Sequence, residues 1–402
     1  MKTPLGLLNL WHQQAKTIIS IGGVAFALLL VFMQLGFMGA VSHTATNVLE
    51  NLQFDVLVRA RDYVHLYEPS QFDRKWLQVA ASTRGVTAAK PFWITIHNWL
   101  KLPTQIESRS SEFESQYLPI AIMASASEDN VFKLESVISQ QRELHSGHKV
   151  LLDQSTQRDY GPLNGRKFDV ADIDRETEIG GQTFSIGGLF SLGTGLAANG
   201  AVIASQQGFA RIVPWDSGHY TSLGLIDVQS GTNVDEAVVE LRKRFLVSGQ
   251  GSQSTVVDVM SREEAMQQEQ SRWLNQTPIG MIFKLGVVIS LLVGAAIVYM
   301  VLSSDVASRL SEYATLLAMG YSRKYLASIV MTQAVTLCLC GFLVAWVGAE
   351  LLYRTTSYFS GITISMNAMR AVYVLAMGLV MSSCSGLLAL RKLWKAEPAS
   401  LF

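Results

Sequence analysis

Charge is scarce in this chain, and neither sign prevails. Its 402 residues carry 32 lysines and arginines against 32 aspartates and glutamates, so the balance gives no reason to expect nucleic acid as a partner. Cysteine is nearly absent. Cys338, Cys340 and Cys384 all lie inside apolar runs, and the long polar middle has none, which excludes a disulfide framework there. The sequence has no GxxxxGKS/T loop to cradle ATP phosphates, and no HExxH, paired CxxC or GxSxG. No motif supports an enzyme, and neither a metal site nor a cofactor site is expected on this chain. His145 and His148 of "HSGH" lack a third ligand at metal-site spacing and read as a solvated loop. Asp172, Asp174, Glu176 and Glu178 read as a solvated strand edge or turn rather than a calcium loop. "GTG" at 193–195 lacks the strand-to-helix context of a nucleotide loop and reads as turn chemistry. Internal repeats and low-complexity tracts are missing too.

Apolar sequence is plentiful: 49% of residues are hydrophobic and 16% charged. Four runs have the ~20 residues needed to cross a hydrocarbon core of about 30 Å. They are 17–41, 278–302 (with Lys284 near its start), 325–349 and 371–390. The first is longer than the h-region of a cleaved signal and reads as an uncleaved anchor. Lys2 and Lys16 precede the first run, Arg309, Arg323 and Lys324 link the second to the third, and Arg391, Lys392 and Lys395 follow the fourth. The positive-inside rule then places segments 1–16, 303–324 and 391–402 in the cytosol, and 42–277 and the short loop 350–370 outside.

The outer segment is large enough for a sizeable domain. "QFDVLVRA" alternates like a strand, and "YLPIAIMAS", "KVLLD", "AVIAS" and "SLGLIDVQ" are short β-leaning runs. "SQFDRKWLQVAAS" has helical spacing, with Phe72, Trp76 and Val79 on one side. "NVDEAVVELRKRF" reads as a helix capped by Asn233, with Val238 and Leu241 inward. "SREEAMQQEQSRWLNQ" reads as another, with Ser261 and Glu264 at capping-box spacing, running into the second span. "GGQTFSIGGLFSLGTGLAANG" suggests hairpins and a mobile loop. The expected fold is four transmembrane α-helices plus a large α+β extracytoplasmic domain inserted between helices 1 and 2.

Small residues recur at intervals of four within the spans: Gly286, Ser290 and Gly294; Gly341, Ala345 and Ala349; Gly378, Ser382 and Gly386. Such rows let backbones approach closely where lipid removes the hydrophobic drive, and so hold the bundle or a homodimer together. Four spans are few for a pore, and no intramembrane acid or base suits a proton relay. Gln34, deep in the first span, is expected to hydrogen-bond a neighbouring helix.

The link between the second and third spans is amphipathic. From Asp305, with Ser303 or Ser304 as cap, Val306, Leu310, Tyr313 and Leu317 fall on one face and Ser308, Ser311, Glu312 and Thr315 on the other. Asp305 and Arg309 form an i,i+4 pair, and Gly320 stops the helix in the left-handed conformation. Such a helix either receives a push from a cytosolic partner or rests in the interface plane.

"SRLSEYATLLAMGYSRKYLASIVMTQAV" resembles the hallmark of FtsX/MacB-type ABC permeases, an R-x-x-E-x-x-x-L-x-A-x-G pattern before the third span. Arg309, Glu312, Leu316, Ala318 and Gly320 match it. "FMQLGF" (Phe32–Phe37) and the ending "RKLWKAEPASLF" are similar to the DevC branch, permeases of glycolipid exporters. The likeness covers the layout of nearly the whole chain, but its matching residues lie mainly at the two ends. It implies a homodimer in the inner membrane, each subunit docking a separate ABC ATPase, which binds ATP and Mg, through the 305–321 helix. It further implies mechanotransmission to a periplasmic domain that works with a periplasmic adaptor (membrane fusion protein) and a TolC-like outer-membrane duct. Two related layouts stand beside it: lipoprotein release of the LolC/LolE type, and an FtsX-like signalling permease acting on a cell-wall hydrolase.

Overall fold

The computed structural model describes residues 14–107, 115–193, 197–248, 257–360 and 364–395. In chain order the elements are α1 (Gln14–Asn51), β1 (Val56–Ala60), β2 (Phe72–Asp73), α2 (Lys75–Ala81), β3 (Val86–Leu100), β4 (Tyr117–Ser125), α3 (Glu135–Ile138) and β5 (Lys149–Asp153). There follow β6 (Glu176–Ile179), β7 (Gln182–Phe190), β8 (Ala201–Ser205), α4 (Gln206–Ile212), β9 (Tyr220–Thr221), β10 (Leu223–Val228), α5 (Val234–Ser248), β11 (Val257–Ser261) and α6 (Arg262–Ser271). The chain closes with α7 (Pro278–Ser308), α8 (Leu310–Ala318), α9 (Arg323–Ser360) and α10 (Ala368–Lys395). These elements form two compact units: Met1–Ala40 with Thr277–Phe402, and Val41–Gln276.

The Val41–Gln276 unit is built on a nine-stranded mixed sheet, ordered β11-β1-β10-β3-β4-β8-β5-β7-β6. β3 pairs with β10 and β4, and near its end Trp99 also lies opposite Ile179 of β6, so the second half of the sheet curls back on itself. Both faces are covered. On β4, Ile120, Ile122 and Ala124 join a core with Trp93, Trp99 and Phe184, while Ala121 and Met123 join another with Phe92, Leu151 and Ile203. A strand buried on both faces reads as a continuous apolar run, which is why "IAIMA" does not alternate. The Gly180–Gly181 pair, with φ +59 and +80, turns β6 into β7, a hairpin turn that side-chain-bearing residues disfavour.

Several local expectations need correction. Phe72 lies in β2 rather than on the helix, and α2 buries Trp76, Leu77 and Ala80, leaving Val79 only partly covered. Asp172 is no solvated edge. It is fully buried, accepts from the Leu163 and Asp169 amides, and pairs with Arg175 at 2.5 Å. The α6 helix does not run into the second span: a π turn at Arg272–Gln276 follows it, and Thr277 is extended ahead of Pro278. Proline at the first helical position starts a helix rather than continuing one. Asn233 Oδ1 accepts from the Asp235 amide and Ser261 Oγ from the Glu264 amide, so both cap their helices. The Gly-rich segment's residues 194–196 lie outside the described ones.

The other unit is a bundle of α1, α7, α9 and α10, each long and apolar enough to cross a membrane. Their core holds Val24, Leu28, Phe32, Val298, Leu337 and Val374. The helices outrun their apolar stretches. α1 continues to Asn51 and α9 to Ser360, because "HTATNVLEN" and "RTTSYFS" contain neither glycine nor proline to stop them.

Candidate functional site

The link between α7 and α9 begins later than its pattern predicts. α7 runs unbroken through Ser303, Ser304, Asp305 and Val306 to Ser308, since nothing after Gly294 interrupts its ladder. Neither serine caps a new helix. The break falls at Arg309, with φ −111 and ψ 18, and α8 is the nine residues beyond it. At its far end Met319 leads to Gly320 at φ +89. The Gly320 amide donates to the Leu317 carbonyl at 3.0 Å and the Tyr321 amide to that of Leu316 at 3.1 Å. That pair of bonds is a Schellman stop, which here needs a residue without Cβ.

Arg309 is turned inward. Its Nε donates to Asp305 Oδ1 at 3.2 Å, and its guanidinium lies 3.7 Å from Glu312. Gln333 of α9 donates through Nε2 to Asp305 Oδ2 at 3.0 Å. One carboxylate thus ties the end of α7, the start of α8 and the flank of α9. Beneath α8, Val306 and Tyr313 are buried against Leu326, Ile329 and Val330 of α9 and Leu390 of α10, with Leu310, Leu316 and Leu317 partly covered. Burial pushes the Tyr313 hydroxyl up to about 12. The outward surface is Ser311, Glu312, Thr315 and Ala318, followed by Met319, 63% exposed, and Tyr321, whose ring stacks on Tyr325. Sequence reasoning passed over Met319, Tyr321 and Gln333. A lone amide in "IVMTQAVTL" was the available signal for the last.

The small-residue rows pack within one chain. A Cβ on Gly294 would sit 2.6 Å from Met381 Sδ and 2.8 Å from Ala27 Cβ; on Gly341, 2.8 Å from Val24; on Gly378, 2.9 Å from Leu28; on Gly386, 3.1 Å from Met331. Ala345, Ala349 and Ser382 are buried in the same bundle, and Ser290 Oγ donates to the Gly286 carbonyl at 2.7 Å. Gly286 faces the Gln34 side chain. Gln34 Oε1 nonetheless has no hydrogen-bond partner among the described residues. At Oε1 the neighbouring helix supplies packing, because a helical glycine offers no free donor. The rest of "FMQLGFMG" serves the same end: the Phe32 carbonyl accepts from Tyr353 OH, Gly36 makes room for that ring, Phe37 stacks on Phe283, and Gly39 lies against Arg370.

Among the described residues no group of His, Cys, Asp and Glu is arranged to hold a metal. His148 Nδ1 lies 2.7 Å from Arg211, while His145 faces the Gln141 and Arg142 carbonyls.

Residues 284–398, from the seventh residue of α7 through α8, α9 and α10, match the family model described as FtsX-like permease C-terminal. This part of the chain is similar to an FtsX-like permease domain. Its boundaries take in the whole α8 link and the Asp305–Arg309–Gln333 cluster. No curated protein matches the chain. Among solved structures it is similar to the extracellular domain of the noncanonic ABC-type transporter YknZ from Gram-positive bacteria, at 12% identity and TM-score 0.35, covering 52% of this chain and 98% of that one. It is also similar to the periplasmic region of MacB from Actinobacillus actinomycetemcomitans, at 8% identity and TM-score 0.35, covering 54% and 92%.

Proposed function

We propose that this chain is the membrane subunit of an ABC-type exporter, moved by a separate ATPase that docks on α8. The observation that carries the reading is the FtsX-like permease match across a link helix clamped to the base of its spans. A clamped helix passes on a push that a loose one would absorb. The docking face is the outward strip from Ser311 to Tyr321, with Met319 and Tyr321 as its apolar part. Arg309, Leu310, Leu316 and Leu317 act from within, fixing α8 to the bundle.

In this reading the chain sits in the inner membrane as a homodimer, with the Val41–Gln276 unit in the periplasm between the first and second spans. ATP and Mg stay on the partner, and motion rather than solute crosses the spans. The export system includes a periplasmic adaptor and a TolC-like duct, and its cargo is a glycolipid or another amphiphile, as in the DevC branch. Co-purification from native membranes tests the reading. An ATPase bound through α8, with adaptor and duct, is the expected result. A cell-wall hydrolase in place of adaptor and duct would make the chain a signalling permease, and a lipoprotein-release partner set would make it LolC/LolE-like. Recovery with no ATPase at all would overturn the proposal.

A further inference from the structure

A cavity of about 300 Å³ opens beside the α8 end of the bundle, between α1, α7 and α9. Ile19 and Met300 on its rim are 74% and 70% exposed, so it opens sideways through apolar side chains toward the surface that hydrocarbon would cover. Leu337 continues the apolar wall. The charged and amide lining is the Lys16 ammonium, the Asp305 carboxylate and the Gln333 amide, beside the hydroxyl residues Thr17, Ser20 and Ser304. Gln333 is 2% exposed, and its Oε1 has no hydrogen-bond partner among the described residues, although Nε2 is held by Asp305. A buried acceptor left open beside a carboxylate asks for a donor, and a cationic donor suits both.

We infer that this cavity holds the headgroup of an aminophospholipid, with the ammonium donating to Gln333 Oε1 beside the Asp305 carboxylate, the phosphate near Lys16, and the acyl chains leaving past Ile19 and Met300. A choline headgroup has the charge but three methyl groups in place of the N–H bonds, so the site discriminates between two lipids of equal net charge. A lipid seated there would brace the carboxylate that orders Arg309. The inference rests on the membrane placement given above, but not on any ATPase.

The test is native mass spectrometry of the purified full chain, equilibrated with equal amounts of dioleoyl phosphatidylethanolamine and dioleoyl phosphatidylcholine. The parent should retain the ethanolamine lipid by about tenfold over choline, the worth of one charge-assisted hydrogen bond. Gln333→Leu should erase the preference while still binding lipid. Ser304→Phe, at an exposed position on the rim, should fill the cavity and reduce retention of both. Equal retention of the two lipids by the parent, or a preference that survives both substitutions, would overturn the assignment. So would lipid binding that appears only after residues 2–13 are deleted, which would give the cavity to the chain's own N-terminal segment. ATPase co-purification is measured separately, so loss of the lipid site leaves the docking proposal standing.

Discussion

The two units bury polar groups under different rules. In the sheet unit a buried carboxylate is surrounded by donors. Glu269 accepts from Tyr63 OH at 2.7 Å, the Leu66 amide at 3.0 Å and Trp273 Nε1 at 3.1 Å. Asp153 accepts from the Ser155, Leu192 and Gly193 amides. In the helical unit Gln34 Oε1, Ser303 Oγ, Tyr313 OH and Gln333 Oε1 are buried with no partner among the described residues. The sheet unit is stitched by loops whose free amides and side chains are near at hand. The bundle offers mostly helical backbone, already bonded, so close approach over glycine does most of the joining, beside a few side-chain bonds such as Gln333 to Asp305 and Tyr353 to the Phe32 carbonyl. Specificity in one lies chiefly in hydrogen bonds, and in the other chiefly in close approach over small residues.

The largest effect should come from breaking the first rule. Glu269→Ala orphans three buried donors and should cost about 4 kcal/mol, read as a lowered unfolding midpoint of the sheet unit by Trp273 fluorescence. Glu269→Gln keeps an acceptor oxygen and should cost less. Breaking the second rule comes next. Gly294→Leu drives a side chain into Ala27 and Met381, and Gly286→Leu into Gln34; each should destabilise the bundle by about 2 kcal/mol. Gly22→Ala, where a Cβ meets nothing within 4 Å, should hold or slightly raise the midpoint in the same thermal assay. Equal loss at Gly22 would show that close approach at the buried glycines does not set the cost, since helix propensity alone favours alanine.

The link helix sharpens the contrast, because one face belongs to the bundle and the other to solvent. Met319→Asp should leave the bundle's unfolding unchanged yet weaken ATPase co-purification about tenfold. Leu317→Asp should weaken both, by about 1–2 kcal/mol for the bundle. Thr315→Ala should do little to either. Intact co-purification in Met319→Asp would move the docking face off α8. The smallest effect belongs to a surface pair of the sheet unit. Glu107 accepts from Lys101 Nζ at 2.7 Å and the Thr104 amide at 2.9 Å, and the Lys101 hydrogen bond leads in holding its carboxyl down at about 2. A depressed carboxyl contributes above its ordinary range and loses that contribution as pH falls toward 2. Glu107→Gln should therefore cost under ~1 kcal/mol at neutral pH, and the difference from the parent should vanish on acid titration.

Hydropathy made the four long helices legible, since apolar runs of that length have few other uses. Their ends were not, because polar helix formers carry the ladder on; the same effect moved the start of the link helix from Asp305 to Leu310. Asn233 and Ser261 showed as caps because a cap is a local matter. β3 went unseen. "VTAAKPFWITIHNWL" is punctuated by Pro91, which sits opposite Gly224 and needs no partner for an amide it lacks. The sheet order joins strands far apart in sequence, which no local pattern encodes. In the link, the amphipathic face was readable, but the inward turn of Arg309 was not, because it depends on Gln333 of another helix.

α9 has 38 residues, about 57 Å at 1.5 Å per residue. A bilayer's hydrocarbon is about 30 Å thick, so nearly half of this rod must lie in water or slant. At one end it is clamped to α8 through Leu326, Ile329 and Val330. At the other it carries Arg354 paired with Glu350 and an almost fully exposed Tyr358. Because α9 is also packed against α1 along its length, through Gly341 and Tyr353, a tilt of about 5° at the α8 end would carry its neighbours with it and sweep the far tip by about 5 Å over that length. The geometry is that of an oar, with the bilayer as its rowlock.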